Sequence, residues 1–209
     1  MIVISHRGYW KEPAERNRPV AFRRSFDCGF GTETDLRDRT GQLVISHDMP
    51  DGSEITLADL LDILAGRELP IAINIKADGL AAALAAELKE RGLARWFTFD
   101  MSVPEMVFQL GLGLPVFTRA SEFEQPPPCY DRAIGVWLDG FDGDWFGPRD
   151  VAAFLQDGKT VCIVSPELHG RDHKPLWTML RDLSLRGHPA LMLCTDFPEQ
   201  AASFFGSGS

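Results

Sequence analysis

Along nearly the whole chain, short apolar runs rich in β-branched residues alternate with stretches whose apolar positions recur at helical spacing. Residues 2–5, 32–36, 71–75, 96–99, 115–118, 135–138, 160–164 and 190–194 read as eight strands, with 42–46 as a short extra one after the Thr40-Gly41 turn. Between them the spacing predicts helices over 20–28, 57–65, 80–91, 104–110, 149–156, 175–185 and 199–204. Two of these starts carry capping signals. Thr56 stands three residues before Asp59, and Ser102 three before Glu105 with Pro104 in the first turn.

Alternation of strand and helix implies a parallel sheet with helices packed outside it. Eight main strands point to a TIM (β/α)8 barrel rather than a doubly wound open sheet. The first strand is followed by His6-Arg7-Gly8 instead of a glycine-rich turn, and polar residues stand at the ends of many strands. The expectation is a single α/β barrel over 1–205 and a flexible Gly-Ser tail over 206–209.

Composition narrows the function modestly. A 44% hydrophobic, 24% charged chain is ordinary for a globular protein. Its net charge of −9, with both signs mixed along the sequence, argues against a nucleic-acid partner, which calls for a basic face. One small anion needs only a few well-placed cations. Cys28, Cys129, Cys162 and Cys194 form no CxxC pair, so neither a zinc knuckle nor a dithiol motif is indicated. No run reaches the length of a membrane span and no signal peptide stands at the start, so stable membrane insertion is not expected and a cytoplasmic location is.

The chemistry sits at the predicted strand ends. In Thr32-Glu33-Thr34-Asp35 the two carboxylates are two residues apart, which in a strand points both to one face. Inside a barrel such a pair needs a cation, a shared proton or basic neighbours. Oxygen donors of this kind suit one hard divalent ion, Mg²⁺ or Ca²⁺, better than zinc. Asn74 and Lys76 repeat the two-residue spacing on the next strand: the amide offers a neutral oxygen, and the ammonium either holds a phosphate oxygen or neutralises Glu33 and Asp35. His6 and Arg7 end the first strand and His47 ends the extra one. Two imidazoles near a cation can serve as general acid and base, and a guanidinium can grip a phosphate.

These residues carry a resemblance. His6-Arg7-Gly8, Ala21-Phe22, Gly29-Phe30, Glu33-x-Asp35, Ser46-His47-Asp48, Asn74-x-Lys76 and the late Thr195-Asp196-Phe197-Pro198 together resemble the glycerophosphodiester phosphodiesterase family, most strongly over residues 1–76. The resemblance implies a phosphodiesterase-type barrel acting on a small phosphodiester. It makes His6 and His47 the acid–base pair and Glu33 and Asp35 metal ligands. It also implies attack on phosphorus by a neighbouring substrate hydroxyl, giving a cyclic phosphate that water opens.

Two departures from the family pattern stand out. Asn74 occupies the place of a third acidic ligand, so metal affinity should fall unless another carboxylate compensates; Asp139 and Glu167 are the candidates by position. The segment from Val164 to Arg171 replaces the family's usual seventh-strand motif and resembles that of a divergent bacterial subgroup, so the leaving alcohol need not be glycerol. Arg119, Trp137 and Arg171 are further candidate substrate contacts, with a salt bridge to Glu122 or Glu124 as the alternative for Arg119 and core packing for Trp137. Two other functions fit the same pattern: a phosphate-binding barrel with weakened catalysis, or a lyase or isomerase acting on a phosphorylated sugar.

Overall fold

The computed structural model describes residues 1–183 and 187–206. The end of the predicted 175–185 helix and most of the Gly-Ser tail lie outside the described residues. By its contacts the chain forms two compact units, Ser5–Val116 and a second that joins Met1–Ile4 to the chain from Phe117 onward.

The first unit takes in the end of strand β1 (Ile2–His6), helix α1 (Pro19–Asp27), β2 (Gly31–Arg39), β3 (Gln42–Ile45), α2 (Leu57–Leu64), β4 (Ile71–Ile75), α3 (Ala81–Glu90), β5 (Trp96–Phe99) and α4 (Val103–Gly111). β2 pairs in parallel with β4, and β4 with β5, while β3 is an antiparallel hairpin partner of β2. β2 runs longer than its apolar segment predicts, because the hairpin from Leu36 to Arg39 adds rungs opposite Ile45 to Gln42. The leucines of α2 at 57, 60, 61 and 64 are all buried, the helical stripe expected of a core-facing helix. Thr56 and Asp59 make both halves of a capping box. Ser102 makes only one half: it accepts from Glu105 N, while the Glu105 carboxylate accepts from Gly79 N and from Gln109 Nε2.

The second unit contains β6 (Phe117–Ala120), β7 (Gly135–Leu138), α5 (Pro148–Gln156), β8 (Thr160–Val164), α6 (Lys174–Asp182), β9 (Leu191–Thr195) and α7 (Pro198–Gly206). β6, β7, β8 and β9 pair in that order, all parallel. β6 begins two residues later than the 115–118 expectation. Pro115 has no N–H to give a ladder; its carbonyl accepts from Thr98 N, and regular pairing with β7 starts at Phe117. Cys162 and Cys194 are buried within the core, as their apolar settings suggest. Among the described residues no helix is long and apolar enough to cross a membrane.

Candidate active site at the ends of strands β1, β2 and β4

Seven of the predicted residues and their neighbours gather within the first unit. The ladder sets them: β2 and β4 pair with Asp35 opposite Asn74, so the acid and the amide sit side by side. Glu33 and Asp35 are both buried, as is Asn74. Beyond Leu36 the hairpin turns the chain back, and the Ser46 N–H donates to the Asp35 carbonyl at 3.0 Å, which brings His47 to the same strand end. Arg37 Nε donates to the His47 carbonyl and steadies that corner.

The loop after β1 is unusual. Arg7 and Gly8 both have positive φ, at 57° and 82°. A Cβ at Gly8 would stand 2.7 Å from Ala21 Cβ, so glycine is what lets α1 pack this closely. The turn aims the Arg7 N–H at Glu33, where it reaches the carbonyl at 3.0 Å and Oε2 at 3.2 Å. Arg7 Nε lies 2.9 Å from Asp35 Oδ2. Its N–H does not point along that line, so the contact is an ion pair without a directed hydrogen bond. Lys76 Nζ stands 3.4 Å from Asp35 Oδ1 and 3.7 Å from Asp100 Oδ2. His6 Nε2 is 3.9 Å from Glu33 Oε2. His47 Nδ1 is 2.9 Å from Asp48 Oδ1, which leaves Nε2 as its outward nitrogen.

Electrostatics single out Glu33. Burial first, and the neighbouring Asp35 charge second, push the Glu33 carboxyl up to about 8; Arg7 and Lys76 pull it down incompletely. Asp35 Oδ1 and Asn74 Oδ1 are buried, and no hydrogen bond reaches either. Buried oxygens left without donors are rare enough to call for a reason. Among the described residues no three His, Cys, Asp or Glu side chains cluster as a metal cage. The donor set that is present, two carboxylates and one amide oxygen, nevertheless fits a hard divalent cation that retains several waters.

Beside Arg7 and His47 lies a polar cavity of about 290 Å³, also lined by Arg16, Asn17, Arg18 and Ser46. Three of these went unnoticed in the sequence. Arg16 stacks over the Trp10 ring at 4.2 Å, Arg18 Nη1 donates to the Ser53 carbonyl, and Asn17 Nδ2 donates to Asp35 Oδ2 at 2.8 Å. Asp100, beside Lys76, was missed as well. A cavity of about 330 Å³ near the starts of β4 and β5 is unrelated to this chemistry, since its Arg67 and Arg91 are paired with Asp27 and Asp62.

The remaining predicted residues belong to the second unit, where each has partners or packing of its own. Asp139, just past β7, bonds His169 Nε2 at 2.7 Å. Glu167 accepts from Thr195 Oγ1, Ser165 Oγ and Asp196 N. Arg171 donates to the Gly140 carbonyl and pairs with Asp144 at 3.0 Å. Arg119 pairs with Glu124 at 2.5 Å, and Trp137 is buried on β7.

No protein-family model matches the sequence, nor does any curated protein. Solved structures do. A glycerophosphodiester phosphodiesterase from Agrobacterium tumefaciens superposes with a TM-score of 0.71 at 16% identity, covering 97% of this chain and 99% of that one. A phosphodiesterase from Oleispira antarctica, solved in complex with the product sn-glycerol-3-phosphate, gives 0.71 at 16% identity over 99% and 97%. The tryptophan synthase α-subunit of Pyrococcus furiosus follows at 0.54 and 15% identity over 95% and 89%. Likeness to enzymes with such different names fixes architecture and leaves chemistry to the site. The chain has the TIM (β/α)8 fold, in the form the glycerophosphodiester phosphodiesterases adopt.

Proposed function

We propose that this protein is a metal-dependent phosphoric diester hydrolase, acting on a small phosphodiester with one divalent cation, Mg²⁺ or Ca²⁺. The observation that carries the reading is the buried Glu33–Asp35 pair. It faces Arg7 and Lys76, with one Asp35 oxygen, Oδ1, and Asn74 Oδ1 left without hydrogen bonds. Glu33, Asp35 and Asn74 would hold the cation, whose chemistry is to neutralise charge developing on the phosphoryl oxygens.

The chain's own groups do the rest. Arg7 and Lys76 supply positive charge to the phosphate, and the polar cavity beside Arg7 and His47 has room for a small hydrophilic alcohol. His6 and His47 form the acid–base pair. One imidazole takes the proton of a neighbouring substrate hydroxyl as its oxygen bonds to phosphorus. The other protonates the departing alkoxide as the original P–O bond breaks, leaving a free alcohol and a cyclic phosphodiester. Water then bonds to phosphorus with the proton roles reversed, and a ring P–O bond opens to give a phosphomonoester. The likeness of the fold to the Oleispira antarctica phosphodiesterase with its bound sn-glycerol-3-phosphate supports a substrate of this size.

The test is turnover of phosphodiesters with and without a hydroxyl next to the ester, in Mg²⁺, in Ca²⁺ and in EDTA. Cation-dependent hydrolysis of the hydroxyl-bearing diesters is expected, with His6→Ala and His47→Ala each lowering kcat by roughly 10²–10⁴-fold. Full activity in EDTA, or no turnover across the panel, would refute the reading.

A further inference from the structure

We propose that Asn17 is a positioning residue that fixes the Asp35 carboxylate for divalent-cation binding, an inference that rests on the cation-dependent reading above. Asn17 follows the short turn Pro13–Glu15 and precedes Pro19, the first residue of α1. Its backbone is left-handed, with φ of 57°, a conformation asparagine tolerates better than most residues. Its N–H donates to the Arg7 carbonyl at 2.9 Å, which folds the loop back onto the end of β1. The side chain is consequently buried among charged groups rather than in water.

The amide has a defined orientation. Thr34 Oγ1 donates to Asn17 Oδ1 at 3.1 Å, and Asn17 Nδ2 donates to Asp35 Oδ2 at 2.8 Å. Turning the amide over would set its oxygen against the Asp35 carboxylate, so that contact selects the arrangement and the Thr34 hydroxyl donates to suit it. This is the one directed hydrogen bond to the Asp35 side chain among the described residues; Arg7 and Lys76 approach it as charges. Oδ2 is therefore occupied and Oδ1 is kept free, the division of labour a carboxylate needs to offer one oxygen to an ion. A donor that anchors a ligating carboxylate is commonly worth 10–100-fold in metal affinity. Nothing about a loop asparagine flanked by two arginines signals this in the sequence.

The experiment titrates Mn²⁺ into metal-free full-length protein by calorimetry, with the free ion followed by electron paramagnetic resonance. Asn17→Gly removes the amide while tolerating the positive φ. It should weaken Mn²⁺ binding about tenfold and raise the cation concentration for half-maximal hydrolysis in parallel, while circular dichroism shows the parent's fold. Thr34→Val, which leaves Asn17 in place but unlocks its amide, should weaken binding in the same direction by a smaller factor. Parent-like affinity in folded Asn17→Gly overturns the inference and leaves the cation site standing. If Asn17→Gly does not fold, unchanged affinity in Thr34→Val overturns it instead. Absence of Mn²⁺ binding in the parent protein overturns both the inference and the reading on which it rests.

Discussion

Glu33 offers the sharpest test of the electrostatics, because its perturbation is large and its sign is unambiguous. Folding moves the carboxyl from an ordinary 4.5 to about 8, chiefly by burial and then by the Asp35 charge. The folded protein thus holds a proton that the unfolded chain has released, and stability falls wherever that difference exists. The contribution is present in full below pH 4.5 and is lost as pH rises through about 8. Between pH 5 and pH 9 such a displacement corresponds to about 4 kcal/mol. Glu33→Gln makes the proton permanent in effect, and its amide oxygen can still accept from the Arg7 N–H. Urea unfolding in EDTA at pH 5, 7 and 9 should show the parent losing stability over this range relative to Glu33→Gln, by several kcal/mol in total. Subtracting one protein from the other cancels titrations they share. Parallel pH profiles would refute the argument, since they would mean that Glu33 titrates alike in both states.

Asn74→Asp should raise Mn²⁺ or Ca²⁺ affinity by about tenfold or more through the added ligand charge, and should also destabilise the metal-free protein at pH 8 by crowding a third carboxylate beside two; calorimetry and unfolding read the two effects separately. Gly8→Ala should cost about 2 kcal/mol or more in urea unfolding. The left-handed backbone contributes about 1–2 kcal/mol of that and the 2.7 Å approach to Ala21 the remainder; an unchanged midpoint would contradict the packing described for α1.

Much of the architecture was legible because it depends on local pattern. Buried parallel strands are short apolar runs, and the stripe at 57, 60, 61 and 64 can be satisfied only by a helix facing a core. Boundaries shifted where a distant partner decides them: β2 extends because β3 folds back on it, and β6 starts where its ladder with β7 begins, at Phe117. The site divides along the same line. Glu33, Asp35, Asn74 and Lys76 are visible as two-residue spacings at strand ends, since the pleat alone puts such pairs on one face. Asn17 and Asp100 were invisible, because a loop residue with positive φ has no period and its role is set by hydrogen bonds and charges far away in sequence. The Glu105 carboxylate likewise accepts from the Gly79 N–H, a tertiary contact, in place of the missing half of the expected capping box.

The departure at Asn74 is best understood as charge balance. Glu33 and Asp35 against Arg7 and Lys76 sum to zero when all four are ionised, yet burial and the Asp35 charge push the Glu33 carboxyl up despite the two cations. A third carboxylate at position 74 would bury more negative charge, at a cost only a bound cation offsets. An amide supplies the oxygen without that cost, so the metal-free protein keeps its packed strand ends with a proton on Glu33 and a free oxygen on Asp35. On the proposed reading the same choice would weaken the cation's hold and make each remaining anchor count for more. Under this balance Asn17, which sets one oxygen of Asp35 with a single hydrogen bond, gains an influence that a more acidic site would dilute.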